Sequence, residues 1–94
     1  MDKKINNSIR QYVQSVAGKT HGYVTAYLFG SYAKNIQTPE SGIDIAFIIE
    51  DLKDSEKFDM QVQLMLLASL FDTRIEPHPL SKQDLLMTIL SSMR

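Results

Sequence analysis

The sequence predicts a small α/β (α+β) domain in which a mixed sheet of three or four strands is flanked by helices. Two short segments, Tyr23 to Phe29 and Ile43 to Ile49, are rich in β-branched and aromatic residues and have the length of strands. Segments with the 3.6-residue period of a helix precede and follow them. This alternation along 94 residues predicts one domain spanning residues 1–94.

The composition excludes several classes of protein. Ten basic and eleven acidic side chains leave a net charge of −1, which argues against an extended nucleic-acid-binding surface. The absence of cysteine excludes a disulfide scaffold, a thiolate zinc site and a cysteine nucleophile. No secretory signal is visible, and no apolar run reaches the length of about 18 residues that a membrane span needs. We therefore expect a cytoplasmic protein without a membrane segment.

The first element is predicted to be an amphipathic helix that ends at Gly18. Its apolar residues recur every three or four positions and form one stripe: Ile5, Ile9, Tyr12, Val13 and Val16. A glycine at position 18 is typical of a helix end, and residues 19–22 are typical of a turn. The first strand then ends at Gly30 and Ser31, and we expect a helical turn over 32–35 and a loop over 36–42.

The next predicted helix runs from Glu56 to Phe71, with Asp54 or Ser55 as its cap. From Leu64 onward it is apolar nearly all the way round, although a helix that covers a small sheet needs only one apolar stripe. The excess predicts a second buried surface. We expect an intermolecular contact; the alternative is a helix packed between the sheet and another helix of the same chain.

A third strand and a last helix complete the predicted order. The strand is expected over Thr73 to His78, and Pro77 and Pro79 indicate a strand end or a sheet edge because each lacks a donor for the ladder. Ser81 and Asp84 resemble a capping box with aspartate in place of glutamate, followed by apolar residues at helical spacing.

The turn at Gly30 and Ser31 is a candidate phosphate-binding site. A strand that ends in glycine and serine before a helical turn presents backbone N–H groups, and the hydroxyl adds a donor. The turn lacks the second glycine and the lysine of a Walker A loop. Alone it is weak evidence, since most such turns bind nothing.

Two carboxylates in otherwise apolar strands strengthen this interpretation. Asp44 lies in the second strand and Glu76 in the third, where a carboxylate is costly unless it is paired or binds a metal. Carboxylates on neighbouring strands beside a phosphate-binding turn indicate Mg²⁺-dependent phosphoryl or nucleotidyl transfer. Each could instead pair with Arg74, Lys34 or His78.

The chain resembles a known family at these positions. Residues 29–34, Phe-Gly-Ser-Tyr-Ala-Lys, and residues 40–45, Glu-Ser-Gly-Ile-Asp-Ile, are similar to the signature of the DNA polymerase β-like nucleotidyltransferase superfamily. That signature is Gly-Ser, ten residues, then Asp-x-Asp. The short length resembles the minimal nucleotidyltransferase (MNT) branch, whose members are often antitoxin partners of all-helical HEPN proteins. The resemblance extends from Tyr23 to the last helix and implies a nucleotidyltransferase fold.

The resemblance also implies a role for each matching residue. Gly30 and Ser31 would contact the phosphates of ATP or another nucleoside triphosphate, and Lys34 could meet phosphate oxygens. Asp44 would be the second metal aspartate, and Glu76 would be the third-strand carboxylate that completes the Mg²⁺ site and helps to activate the attacking hydroxyl.

One position departs from the signature. Gly42 stands where the first metal aspartate should be, so one bridging ligand of a two-metal site is missing. Glu40 would share a face with position 42 in an extended chain, but it lies about 6–7 Å further along. We therefore expect nucleotide binding with weak Mg²⁺ binding and impaired chemistry.

The two histidines are not predicted to bind a metal. His21 and His78 lie far apart in the sequence and belong to no metal-ligand pattern. We expect a surface histidine and a strand-end histidine.

The resemblance predicts transfer of a nucleoside monophosphate from ATP or another NTP to a hydroxyl, possibly on a partner protein, impaired by Gly42. The alternative is a non-catalytic antitoxin subunit that neutralises a HEPN-like toxin by contact. A nucleotide sensor is a third interpretation. A domain this small predicts a homo-oligomer, a small helical HEPN-like partner, or both.

Overall fold

The computed structural model describes residues 3–30 and 42–92, which form three helices and three strands. In chain order they are α1 (Lys3–Lys19), β1 (Tyr23–Phe29), β2 (Ile43–Ile49), α2 (Asp54–Ala68), β3 (Ile75–Leu80) and α3 (Lys82–Ser92). The sheet order is β1-β2-β3; β1 is antiparallel to β2, and β3 is parallel to it. The predicted mixed sheet flanked by helices is confirmed.

One face of the sheet packs on α1 and α2. The apolar core consists of residues from these two helices and from alternate positions of β2 and β3: Tyr12, Val16, Ile43, Ile45, Phe47, Ile49, Leu64, Ala68 and Ile75. Tyr12 stacks edge-on against Phe47, and its hydroxyl donates a hydrogen bond of 2.8 Å to the Leu64 carbonyl. The buried Tyr12 hydroxyl therefore has a hydrogen-bond partner, and this bond joins α1 to α2.

Both long strands lie where the composition predicts them, but the helix ends differ. Helix α1 continues through Gly18 to Lys19, and the turn is made by Gly22, whose φ is +84°. Gly18 therefore does not end the helix, and the glycine that makes the turn is Gly22, which lies beyond the helix end. The predicted helical turn over 32–35 lies outside the described residues.

Helix α2 begins before the predicted start and ends before the predicted end. Its N-cap is Lys53, whose backbone N–H donates to the Glu56 carboxylate at 3.2 Å; Asp54 and Ser55 lie in the first turn. The prediction that one of those two residues caps the helix is therefore wrong. The reason is that the glutamate side chain reaches back to satisfy the exposed donor.

Strand β3 is an edge strand, as predicted, but it is shifted two residues along the chain and includes both Pro77 and Pro79. A strand with one neighbour uses only alternate N–H groups, which allows two prolines spaced two apart. The capping box that opens α3 is confirmed: Ser81 N–H donates to Asp84 Oδ2 and Asp84 N–H donates to Ser81 Oγ, each at 3.1 Å.

Helix α2 and the turn after it leave an apolar face exposed. Phe58, Leu66 and Leu70 are 75%, 67% and 77% exposed, and Val62 and Met65 lie beside them on the same face. We call these five residues the α2 apolar face. Within residues 3–30 and 42–92, no helix covers them, so the described part of the chain gives no support to the alternative of a helix packed between the sheet and another helix. The expected intermolecular contact stays a prediction.

Within the described ranges, 3–30 and 42–92, we find no helix with the length and apolar character needed to cross a bilayer.

Candidate active site

The candidate site lies on the sheet face opposite α1 and α2. Along β2 the core takes the odd positions, so Asp44 points to the other face. In the antiparallel pairing Asp44 lies opposite Phe29, the last residue of β1, and in the parallel pairing it lies opposite Glu76 of β3. The middle strand thus brings residues from both neighbours to one end of the sheet.

Gly30 closes this end of β1 with a left-handed backbone. Its φ is +76°, and a Cβ at this position would overlap the Asp44 carboxylate. Only glycine combines that conformation with such a close approach of backbone to side chain. The predicted phosphate contacts Ser31 and Lys34 follow directly in the sequence but lie outside the described residues.

Asp44 and Glu76 form a carboxyl pair, as expected from their places in neighbouring strands. A hydrogen bond with Asp44 raises the pKa of Glu76 above its ordinary value, and desolvation and the Asp44 charge act in the same direction. Two carboxyl groups held this close favour sharing a proton or a cation. The two carboxyl groups therefore favour a positively charged ligand at this end of the sheet.

His78 joins this pair; it was named as a possible partner of the carboxylates, but it was otherwise expected to be a simple strand-end residue. Its Nε2 lies 3.1 Å from Asp44 Oδ1, and its ring packs against Phe29 with 5.2 Å between centroids. Asp44, Glu76 and His78 each offer a ligand atom within 4.8 Å of the others. The sequence signal for this arrangement is the Glu-x-His spacing of Glu76 and His78, because residues two positions apart along a strand lie on the same face.

Arg74, one of the other partners considered, lies against a different acid. It forms an ion pair with Asp72, with 2.7 Å between Nη2 and Oδ2, and its Nε also donates to Asp72 at 3.0 Å. The Arg74 carbonyl accepts the Ile43 N–H at 2.8 Å, which joins the beginnings of β3 and β2. Arg74 therefore stabilises the backbone where β2 and β3 begin, next to the candidate site.

Gly42, where the resemblance predicts an aspartate, lies next to Glu76 of the carboxyl pair. A Cβ at this position would come 2.5 Å from Glu76 Oε1, so the Glu76 carboxylate fills the space beside it. Glu40, the candidate substitute, lies outside the described residues.

The described donors do not fit a pair of Mg²⁺ ions. Such a pair needs bridging carboxylates and hard oxygen ligands, whereas the described residues supply two carboxylates and one imidazole.

The three-stranded sheet flanked by helices matches a nucleotidyltransferase fold, and comparisons with known proteins agree. The family model described as "Polymerase beta, Nucleotidyltransferase" matches residues 8–92. A crystal structure at 1.40 Å resolution, described as a putative nucleotidyltransferase from Sulfolobus solfataricus, is similar over 93% of this chain and 82% of that chain, with 25% identity and a TM-score of 0.63. No curated protein sequence matches significantly.

The chain therefore belongs to the polymerase beta nucleotidyltransferase family. The superfamily resemblance and the nucleotidyltransferase fold are confirmed. Members of this family generally use a nucleoside triphosphate and a divalent metal. Membership of the minimal branch and pairing with a HEPN protein stay predictions.

Proposed function

We propose that this domain binds ATP or another nucleoside triphosphate at the Gly30 end of the sheet and that its nucleotidyl transfer is impaired. In a competent site, the acceptor hydroxyl oxygen bonds to the α-phosphorus while the bond to pyrophosphate breaks. Glu76 is the proposed base that takes the hydroxyl proton, and Gly30 and Ser31 are the proposed phosphate contacts.

The observation that supports impairment is the geometry at Gly42. The neighbouring Glu76 carboxylate is the end of an exposed, flexible side chain, so it can rotate away if a side chain is introduced at position 42. Unlike Gly30, Gly42 does not have a positive φ. Neither the backbone nor the available space therefore demands glycine, and its effect is the loss of one acidic ligand.

The test compares the natural chain with Gly42→Asp and with Gly42→Asn, which has the same shape without the charge. Pyrophosphate release from ATP, with water or added protein as acceptor, makes the assay independent of an unknown acceptor. We expect slow release by the natural chain and by Gly42→Asn, and a rate at least 100-fold higher in Gly42→Asp. This corresponds to about 2.7 kcal/mol of transition-state stabilisation.

Nucleotide binding is measured separately by calorimetry. We expect the natural chain and both variants to bind ATP, and Gly30→Ala to bind it more weakly because the turn and Asp44 must move. Rapid transfer by the natural chain that is unchanged in Gly42→Asp would contradict impairment. Failure of every form to bind any nucleoside triphosphate would contradict the proposed function itself.

The α2 apolar face supports a second proposal, that the domain acts as a non-catalytic binding subunit, in a homo-oligomer or with a helical HEPN-like partner. Three of its large side chains are more than 60% exposed, which is typical of a contact surface. We expect sedimentation to show association that Leu66→Lys abolishes. Arg10→Glu, on the exposed side of α1, is the control. A strictly monomeric protein with no co-purifying partner would contradict this proposal.

A further inference from the structure

We infer that the α2 apolar face binds a second copy of this chain, with the two α2 helices packed side by side in antiparallel orientation. The inference rests on the second proposed function, because it names the partner that this face binds. It commits to a dimer with a two-fold axis, and a helical partner of another sequence becomes an outcome of the test. Four properties of the exposed side chains carry it: their spacing, size, charge and area.

The exposed side chains of α2 have the spacing of a seam between two helices. Phe58, Val62, Met65 and the C-cap residue Ser69 are all exposed, and they follow one another at intervals of four, three and four residues. This alternation is the a/d pattern of helices that pack along their length. The buried residues of α2 lie on its other side, against the sheet. The spacing therefore indicates that a helix covers this face.

The sizes of the four side chains make the seam complementary to itself. In an antiparallel pair centred between Val62 and Met65, these two residues face each other across the axis, and Phe58 faces Ser69 of the second copy. The largest side chain of the seam thus meets the smallest, which allows the two helices to interdigitate. The Ser69 hydroxyl donates a hydrogen bond of 2.6 Å to the Leu66 carbonyl, so it keeps a partner when the seam is buried.

The charges of α2 favour the antiparallel orientation. Residues 54–59 contain three acidic side chains and one basic side chain, whereas residues 60–70 contain none of either sign. A parallel pair would place the two acidic ends side by side, where like charges repel. An antiparallel pair places each acidic end beside an uncharged end and also opposes the two helix dipoles. Two copies can therefore pair in this orientation without repulsion between their charged ends.

The exposed area is sufficient for a specific dimer. The five side chains of the α2 apolar face are between 40% and 77% exposed. At these exposures they present roughly 600 Å² of surface, so two copies would bury about 1,200 Å², the lower end of the range for specific interfaces. A patch of this size is also at the upper end of what monomeric proteins leave exposed. We therefore expect a dimer that forms at micromolar concentrations and dissociates on dilution.

The experiment exchanges charges across the seam in the full chain. Val62→Glu and Met65→Lys each place a charge at an exposed position, so neither change disturbs the core. When the two variants are mixed, the antiparallel register brings the introduced carboxylate of one chain against the introduced ammonium of the other. A parallel register would not, because position 62 would then face position 62. The matched controls are Gln63→Glu and Gln63→Lys, at an exposed position of the same helix outside the seam.

Sedimentation and native mass spectrometry measure the association, and circular dichroism establishes that each variant is folded. We expect the natural chain and both Gln63 variants to dimerise with similar dissociation constants. Val62→Glu and Met65→Lys should each raise the dissociation constant at least 10-fold when alone. Their equimolar mixture should associate at least 10-fold more tightly than either variant, in dimers that contain one chain of each kind.

Three results would overturn the inference. The first is a natural chain that stays monomeric at every concentration. The second is association that neither seam substitution weakens. The third is a mixture that associates no more tightly than its separate components, since an antiparallel seam requires the two introduced charges to meet.

Two further results separate this inference from the proposed functions. If the natural chain is monomeric but binds an added helical protein, and Leu66→Lys abolishes that binding, the binding-subunit proposal stands and the homodimer fails. If the seam variants behave as expected but ATP does not bind, the homodimer stands and the proposal of nucleotide binding fails.

Discussion

Both ends of strand β1 are closed by a glycine with a left-handed backbone, but for different reasons. At Gly22 a Cβ would come 2.8 Å from the backbone carbonyl oxygen of Glu50, and the Gly22 carbonyl accepts the Glu50 N–H at 2.7 Å. At Gly30 the neighbour is the side-chain carboxylate of Asp44. The first glycine closes a ladder of backbone hydrogen bonds, and the second brings the chain close to a polar site.

This comparison separates glycine required by the fold from glycine required by a site. Near Gly22 the two backbone atoms that a Cβ would meet belong to Glu50. Near Gly30 the opposing atoms belong to the Asp44 side chain, which can rotate. Substitutions at the two ends should therefore differ in their effects on stability and on binding.

The largest expected effect is that of Gly22→Ala on stability. The side chain would be strained at φ +84° and would meet a backbone oxygen that cannot move without breaking the ladder. We expect a loss of about 2–3 kcal/mol in the free energy of unfolding. Urea denaturation measures it, and the folded fraction should keep its affinity for ATP. A loss below about 0.5 kcal/mol would contradict the distinction drawn between the two ends.

Gly30→Ala should destabilise less and impair binding more. The strain at φ +76° costs about 1–2 kcal/mol, but the overlapping Asp44 carboxylate can turn aside. Because Asp44 is then displaced, we expect the affinities for ATP and other nucleoside triphosphates to fall at least 10-fold. Urea denaturation and calorimetry on the same preparation measure both effects. Unchanged affinities would show that Gly30 serves the fold alone.

Asp72→Asn tests whether the interaction of Asp72 with Arg74 stabilises the beginning of β3, next to the candidate site. The Asp72 carboxylate accepts the Arg74 N–H at 2.9 Å as well as the guanidinium, and Arg74 lowers the pKa of Asp72. We expect the variant to lose about 1 kcal/mol at pH 7, a figure that allows for solvent screening of the half-exposed arginine.

The pH dependence of that loss has a definite sign. A carboxyl group with a lowered pKa in the folded protein contributes stability above its unfolded value of about 4 and loses it as the pH falls through the folded value. The difference between the natural chain and Asp72→Asn should therefore shrink in acid. Urea denaturation at pH 7 and near pH 2 measures it; a difference that grows in acid would contradict the assigned ion pair.

The smallest expected effect is that of Gly42→Ala on stability. The new Cβ would meet only the Glu76 carboxylate, which is exposed and flexible. We expect a change within about 0.5 kcal/mol in the free energy of unfolding, typical of a surface substitution. A loss above 1 kcal/mol in urea denaturation would indicate that Glu76 is held in place and that the site end is as rigid as the Gly22 end.

The sequence predicted the parts of the fold that depend on local pattern. The strands Tyr23–Phe29 and Ile43–Ile49 were located because their composition differs sharply from the glycine-containing turns around them. Helix ends were less predictable. Helix α1 tolerates Gly18 because packing of Tyr12 and Val16 on the sheet outweighs the small penalty of one glycine.

The candidate site was predicted in part. Asp44 and Glu76 were identified because a carboxylate is unusual in an apolar strand, and the resemblance gave a reason for the spacing from Gly30. His78 was named only as one of three possible partners of the carboxylates, because the sequence does not show which residue of the third strand faces Asp44, 34 residues earlier. Their contact depends on the parallel register of β2 and β3.

By itself, the sequence determined the strands, the glycine turn and the acidic residues, since each follows from local preferences of backbone and side chain. Only the tertiary structure decided that Glu76 fills the space beside Gly42 and that His78 faces Asp44. Both facts depend on which residues of β3 lie opposite β2. That register is set by packing of the whole sheet on α1 and α2, which no short segment encodes.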